Sequence, residues 1–80
     1  MTEADVYNKL NEIFREIFLD DSIVANPQMT AADVERWDSL SHIDMMMMVE
    51  SAFGVRIPTR VVTGMKNVGE LVAYLMSKKA

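Results

Sequence analysis

Apolar residues at Val6, Leu10, Ile13, Phe14 and Ile17 recur every three or four positions, and Lys9, Glu12, Arg15 and Glu16 fall on the other side. This pattern predicts an amphipathic helix over about residues 3 to 18. Thr2, with Asp5 three positions on, reads as its capping box. From Asp20 to Trp37 no period survives. The stretch holds Asp20-Asp21-Ser22, Asn26-Pro27 and Met29-Thr30-Ala31-Ala32-Asp33, which is turn and loop chemistry. Loops beyond about 12 to 15 residues are uncommon in compact domains and are often functional. Its apolar Ile23, Val24, Val34 and Trp37 are expected to pack across the helices, with a short helical turn among them.

Helical spacing returns at Asp38 or Ser39, both good N-cap residues, and holds to Phe53, where Gly54 supplies the stop. After Val55-Arg56-Ile57, Pro58 and Thr59 open a short helical turn ending near Gly64. Asn67 with Glu70 then caps a last helix running to about Met76. Val68, Leu71, Val72 and Leu75 form its inward stripe, and Lys78 and Lys79 lie just beyond it, at the negative end of its dipole. The expected fold is all-α, a small bundle of three main helices plus one short helix, with a long loop between the first and second. Residues 1 to 80 read as a single domain, without repeat or linker.

The central helix can be projected at about 100° per residue. His42, Met46, Val49 and Phe53 then share the inward face, with Ile43 and Met45 on its shoulders. Leu40, Asp44, Met47, Met48 and Ser51 point the other way. An apolar patch on the water side of a small domain marks a docking surface.

Composition narrows the possible chemistry. Half of the 80 residues are hydrophobic, a quarter are charged, and the net charge is -4. A chain this short buries only roughly 60 to 65% of its unfolded surface, which leaves no room for a deep substrate cleft. With no Cys and one His, disulfide frameworks and the usual zinc clusters are excluded. The acidic start lacks the features of a signal peptide, and no apolar run approaches the roughly 18 residues of a membrane span. A cytoplasmic protein is expected. Acidity argues against nucleic acid as the main partner. The charge is also two-ended: residues 1 to 50 hold 11 acidic and 3 basic groups, residues 51 to 80 hold 1 acidic and 5 basic. Eight methionines, four of them consecutive at Met45 to Met48, complete the unusual features.

Ser39 stands where the central helix begins, near free N–H groups and the positive end of the dipole, where a phosphate would be stabilised. Spacing alone equally allows a plain N-cap serine. The surrounding residues carry more information. Trp37-Asp38-Ser39-Leu40-Ser41-His42-Ile43 closely resembles the modification motif of acyl carrier proteins. The order that follows, with Phe53-Gly54, Val55 and Ile57-Pro58 before a short third helix and a capped fourth, resembles that family over essentially the whole chain. The resemblance implies that Ser39 carries a 4'-phosphopantetheine arm transferred from coenzyme A, and that the arm's thiol holds an acyl group as a thioester. It implies a carrier and not an enzyme. Asp38 would orient the transferase complex and its metal, although capping is an equal alternative. Leu40 would contact partner enzymes, in agreement with its outward projection; Asp44 and Glu50 fall at acidic docking positions of the second helix, although each could equally be an ordinary solvated carboxylate; Met47 and Met48 extend the outward apolar patch as further partner-binding candidates, and Ile43, Met46 and Val62 would border an acyl pocket. The implied partners are a phosphopantetheinyl transferase and acyl-loading, ketosynthase or acyltransferase enzymes of fatty acid, polyketide or related biosynthesis, meeting a monomeric carrier.

Departures from the family pattern bear on the pathway. Ser41 and Ser51 stand where acidic residues are common in fatty acid synthesis carriers, and Thr59-Arg60 replaces an acidic start to the third helix. The Trp-Asp-Ser-Leu form followed by Ser-His is similar to discrete carriers of polyketide or other specialised acyl pathways.

Competing readings are weaker. Ser39, His42 and Asp44 suggest a hydrolase, yet Asp44 projects about 160° from His42 on the helix and cannot orient its imidazole. His42 is expected to be partly buried and bonded to the long loop. Asp20, Asp21 and Asp33 lack the spacing of a calcium loop. An unmodified helical interaction module would share this fold and charge. Peptidyl carriers usually show a Gly-Gly-x-Ser type of motif, which is absent, while a D-alanyl carrier stays open.

Overall fold

The computed structural model describes residues 2–79, apart from the side chain of Lys79, so the part read above for that side chain lies outside the described residues. Helix α1 spans Glu3–Ile17, α2 Ser39–Phe53, α3 Thr59–Gly64 and α4 Val68–Lys79, with one 3-10 turn at Ala31–Asp33. No strand occurs among the described residues. The expected all-α bundle and its long first loop are what the chain forms. The last helix runs further than its apolar stripe indicated and takes in Lys78 and Lys79.

Helix α1 begins with the expected capping box, Asp5 N–H donating to Thr2 Oγ1 (3.2 Å) and Thr2 N–H to Asp5 Oδ2 (3.0 Å). It buries Val6, Leu10, Ile13 and Phe14. It ends without a glycine: Leu19 sits at φ 53° and Asp20 N–H closes onto Arg15 O at 3.2 Å. That is a Schellman-type stop built on a residue with a Cβ, in a conformation that glycine adopts more cheaply.

The long loop forms a fourth wall of the bundle. Ile23, Ala25, Met29 and Trp37 are buried in the common core. Arg15 Nε donates to Ile23 O (2.8 Å), and Ala25 N–H donates to Asn11 Oδ1 (2.7 Å), so α1 holds the loop's backbone directly. Val24 does not pack inward as expected and is 63% exposed. Its neighbours on both sides are turned to the core, and in extended chain alternate side chains face opposite ways. Midway along, the loop caps α4: Val68 N–H donates to Met29 O (2.8 Å) and Gly69 N–H to Pro27 O (3.0 Å). Gly69 is needed for that approach, because a Cβ there would stand 3.0 Å from Pro27 O. Asn67 Oδ1 accepts from Glu70 N–H at 3.0 Å, as the sequence suggested. Val68, Leu71, Val72 and Leu75 are buried.

Helix α2 stops at Gly54, φ 64°. Its buried residues are Met45, Met46, Val49 and Phe53. The inward face is therefore turned toward Met45 relative to the projection, and Ile43, on the opposite shoulder, is 53% exposed. The cause is the neighbour on that side: α3 has only six residues and none of them is fully buried, so it leaves the Ile43 shoulder open. Met47 is 62% exposed, but Met48 is half-buried against the core. Met48 lines a groove with Lys9, Ile13 and Glu16 of α1. The four methionines thus divide into two core residues, one seam residue and one surface residue.

Candidate functional site

The head of α2 is held by Asp38 and Ser41. Ser41 N–H donates to Asp38 Oδ1 (2.9 Å) and Asp38 N–H donates to Ser41 Oγ (2.8 Å), a reciprocal cap in which serine takes the usual place of Glu or Gln. The Ser41 hydroxyl proton is within reach of Arg36 O (2.9 Å) and Asp38 Oδ1 (3.1 Å). The backbone bond from Ser41, reinforced by its hydroxyl, holds the Asp38 carboxyl below the usual carboxylate range. Ser39 stands between them as the first residue of the helix. It is exposed, and its hydroxyl makes no hydrogen bond among the described residues. The cap is complete without it.

Beneath Ser39 lies a chain of ring contacts. Trp37 is buried and stacks on Phe18 (centroids 5.1 Å, planes 29° apart), with Phe14 tilted against it at 5.6 Å. Its other neighbour is His42 (5.9 Å, 24°). Trp37 Nε1–H donates to His42 Nδ1 at 3.0 Å, which leaves the ring proton on Nε2, and Nε2 lies 2.7 Å from Val62 O of α3. The neutral Nε2–H tautomer satisfies both contacts. His42 is half-buried and bonded to the end of the long loop, and it also reaches α3, which sequence reasoning missed. Only the contact with Trp37 had a sequence signal. With Asp38 as N-cap, Trp37 and His42 occupy N′ and N4, the two positions of a hydrophobic staple.

A groove of about 790 Å³ opens beside Ser39 between α2 and α3, lined by Trp37, Asp38, Ser39, His42, Ile43, Val62 and Met65 among others. Of the three residues read as bordering a pocket, Ile43 and Val62 line this groove. Met46 does not. It lies one turn beyond His42 and is packed in the core at 3% exposure.

The residues read as a docking surface separate as well. Leu40 is 77% exposed and forms an outward stripe with Ile43 and Met47, with exposed Asp44 beside it. Met48 faces the α1 seam and leaves this stripe. Glu50 is half-buried, and its Oε2 accepts from Ile57 N–H at 2.7 Å, so its carboxylate fixes the chain leaving α2. Ser39, Leu40, Ile43, Asp44 and Met47 are thus brought together around the helix N-terminus, and Glu50 and Met48 are drawn into the fold.

This geometry fits an exposed nucleophilic hydroxyl at a positive helix end, where a phosphodiester would be favoured. Comparison with known proteins points the same way. Residues 8–75 match the family described as "Phosphopantetheine attachment site". The chain is 30% identical over 74 residues to a meromycolate extension acyl carrier protein of Mycolicibacterium smegmatis, covering 92% of this chain and 75% of that one. It is 29% identical over 77 residues to an acyl carrier protein of Lactobacillus johnsonii, covering 96% of each. The solution structure of a holo acyl carrier protein from Geobacter metallireducens superposes with a TM-score of 0.83 at 35% identity, covering 90% of this chain and 83% of that one.

Proposed function

The chain belongs to the phosphopantetheine-attachment family of acyl carrier proteins, whose prosthetic group is 4'-phosphopantetheine, and from that premise we propose that Ser39 is the attachment point. One observation carries this assignment. Ser39 is the exposed serine at the head of α2 whose hydroxyl the helix cap leaves unused, whereas Ser41, two positions on, is consumed by that cap. The Ser39 oxygen would lose its proton and attack the pantetheine-side phosphorus of coenzyme A, forming a phosphodiester as the pyrophosphate P–O bond breaks and adenosine 3',5'-bisphosphate leaves. Once bound, the arm supplies a terminal thiol on which an acyl group is held as a thioester. The protein contributes no catalytic group of its own. It anchors the arm at the positive end of α2, offers the groove beside it, and presents cargo to successive enzymes at high effective concentration.

Asp38 would steady the head of α2 during transfer, its carboxylate already held ionised by the Ser41 bonds, and would face the transferase and its metal. Leu40, Met47 and Asp44 form the proposed docking surface. On the exposed face of α2 Asp44 stands alone as a carboxylate, since Glu50 is engaged with Ile57 N–H. This weak acidity favours partners with apolar docking sites, and supports a discrete carrier of a polyketide-type or other specialised acyl pathway in the cytoplasm. All 80 residues would act as one monomeric carrier domain, with ketosynthase- and acyltransferase-type enzymes as its partners.

Incubating the apo protein with coenzyme A and a broad-specificity phosphopantetheinyl transferase tests the assignment by intact mass. One arm is expected on the native chain and none on Ser39→Ala. A native chain that gains no arm defeats the carrier reading, and a labelled Ala variant defeats the site.

A further inference from the structure

We propose that the groove between α3 and α4 is a second docking surface, suited to an acidic segment of a partner protein and separate from the face around Ser39. The short α3 has two working sides. Thr59, Val62 and Thr63 line the groove beside Ser39, while Arg60, Val61 and Gly64 line another, of about 340 Å³, against Ala73 and Tyr74 of α4. At about 100° per residue these two triplets fall on opposite halves of the helix. A molecule seated on one side therefore leaves the residues of the other uncovered, and only Met65, just past the helix end, borders both grooves.

The groove between α3 and α4 combines an apolar floor with a basic rim. Val61, Met65 and Tyr74 are half-buried against the core. Tyr74 also organises the rim: its hydroxyl donates to Arg56 O (2.8 Å), and Lys78 Nζ stands 5.6 Å over its ring, within cation–π range. Arg60 lines the groove from the α3 side. Arg56, Arg60 and Lys78 are exposed, and none makes an ion pair among the described residues. Here the two-ended charge of the chain becomes a surface, since residues 51 to 80 hold five basic groups and a single acid, Glu70. Glu70 lines the same groove and restricts the occupant, which must turn carboxylates toward Arg60 and Lys78 and an uncharged side chain toward Glu70. The whole chain carries a net charge of -4 and repels an acidic partner, so attraction arises only at contact, where the local patch lies within a Debye length of about 10 Å. An acidic segment with one apolar side chain meets these conditions, the apolar group entering the groove and the carboxylates reaching the rim. Held there, the protein keeps the face around Ser39 available, and the tether raises its effective concentration near enzymes on the same assembly.

The probe is a short fluorescent peptide, blocked at both ends, with one leucine between runs of glutamate; its control carries glutamine in place of glutamate. Measured by fluorescence anisotropy against the full chain, the acidic peptide should bind saturably and the control at least about tenfold more weakly. Binding should weaken severalfold as ionic strength rises from about 0.02 M to about 0.3 M. In 1H–15N spectra the shifts should fall on Arg60, Gly64 and Ala73, with Leu40, Asp44 and Met47 unmoved. The double variant Arg60→Glu, Lys78→Glu should lose the acidic peptide, and Glu70→Gln should bind it about twofold to threefold more tightly; circular dichroism checks that both are folded. Arm transfer to Ser39 should go to completion with the peptide saturating. Failure of the native chain to bind, equal binding of the control, undiminished binding by the folded double variant, or shifts confined to the head of α2 overturns the proposal. Binding to phosphatidylglycerol vesicles that the peptide does not displace assigns the rim to a lipid surface, and self-association lost in the double variant assigns it to a second copy; either overturns a protein partner of acidic sequence. Arm transfer blocked by the peptide overturns the separation of the two faces. A chain that binds the peptide and gains no arm defeats the carrier reading alone and leaves this surface standing.

Discussion

At the head of α2 a hydroxyl can either hold the helix together or be offered to another molecule, and Asp38, Ser39 and Ser41 separate those tasks. Ser41→Ala removes the hydroxyl that Asp38 N–H donates to and should destabilise the fold by about 1 kcal/mol, with transfer to Ser39 retained; chemical denaturation and intact mass check the two halves. The Asp38 carboxyl is held below its ordinary value in the folded chain. Its contribution to stability is complete above the unfolded value near pH 4 and is lost as pH falls through the lower folded one. Asp38→Asn keeps a cap acceptor without the charge, so its helix content should fall less than native as pH drops through that window, as followed by circular dichroism. Leu19 gives a prediction of the opposite sign. It is 73% exposed at φ 53°, so Leu19→Gly relieves strain at little cost in packing and should stabilise by up to about 1 kcal/mol, read as a raised denaturation midpoint.

Among the elements, α2 bears on function most, because its faces do different work. Met45 is fully buried and Met47 is 62% exposed. Met45→Ala should cost about 2 to 5 kcal/mol, and Met47→Ala should change stability by no more than about 0.5 kcal/mol. Partner turnover should show the reverse order for Met47→Gln, which keeps helix content and weakens docking. Unchanged turnover would mean that the exposed stripe is incidental. Met48 is unsuited to that test, since its contact with α1 mixes stability into the result. The short α3 differs from the other helices in kind. With no fully buried residue, it is tied by neighbours more than by its own packing, which is why the groove beside Ser39 lies along its edge.

At the scale of the whole molecule, the long loop is structural material. For 80 residues, a total stability of roughly 4 to 12 kcal/mol is the ordinary range. Trp37→Ala, which removes the largest side chain of the loop from between α1 and His42, should cost about 3 to 5 kcal/mol and bring the chain near the edge of folding. The helices, the N-terminal caps of α1 and α4 and the stop at Gly54 were legible in the sequence because each rests on local spacing. The position of Ser39 was legible as a helix start, but which of Asp38 and Ser39 formed the cap was not, because both are good cap residues and only the Ser41 side chain decides between them. Three outcomes needed tertiary contacts. Glu50 turned to Ile57 N–H, Met48 settled against α1, and Ile43 was left open by a helix too short to cover it. His42 was placed correctly against the loop, yet its second bond to a backbone carbonyl twenty residues away has no sequence signature.

The cap at the head of α2 frees the Ser39 hydroxyl and occupies that of Ser41. Transferring the arm to the native apo chain and locating it by peptide-level mass spectrometry distinguishes the two serines. Full modification on Ser39 with Ser41 unmodified is expected. An arm found on Ser41, or on neither serine, would contradict it.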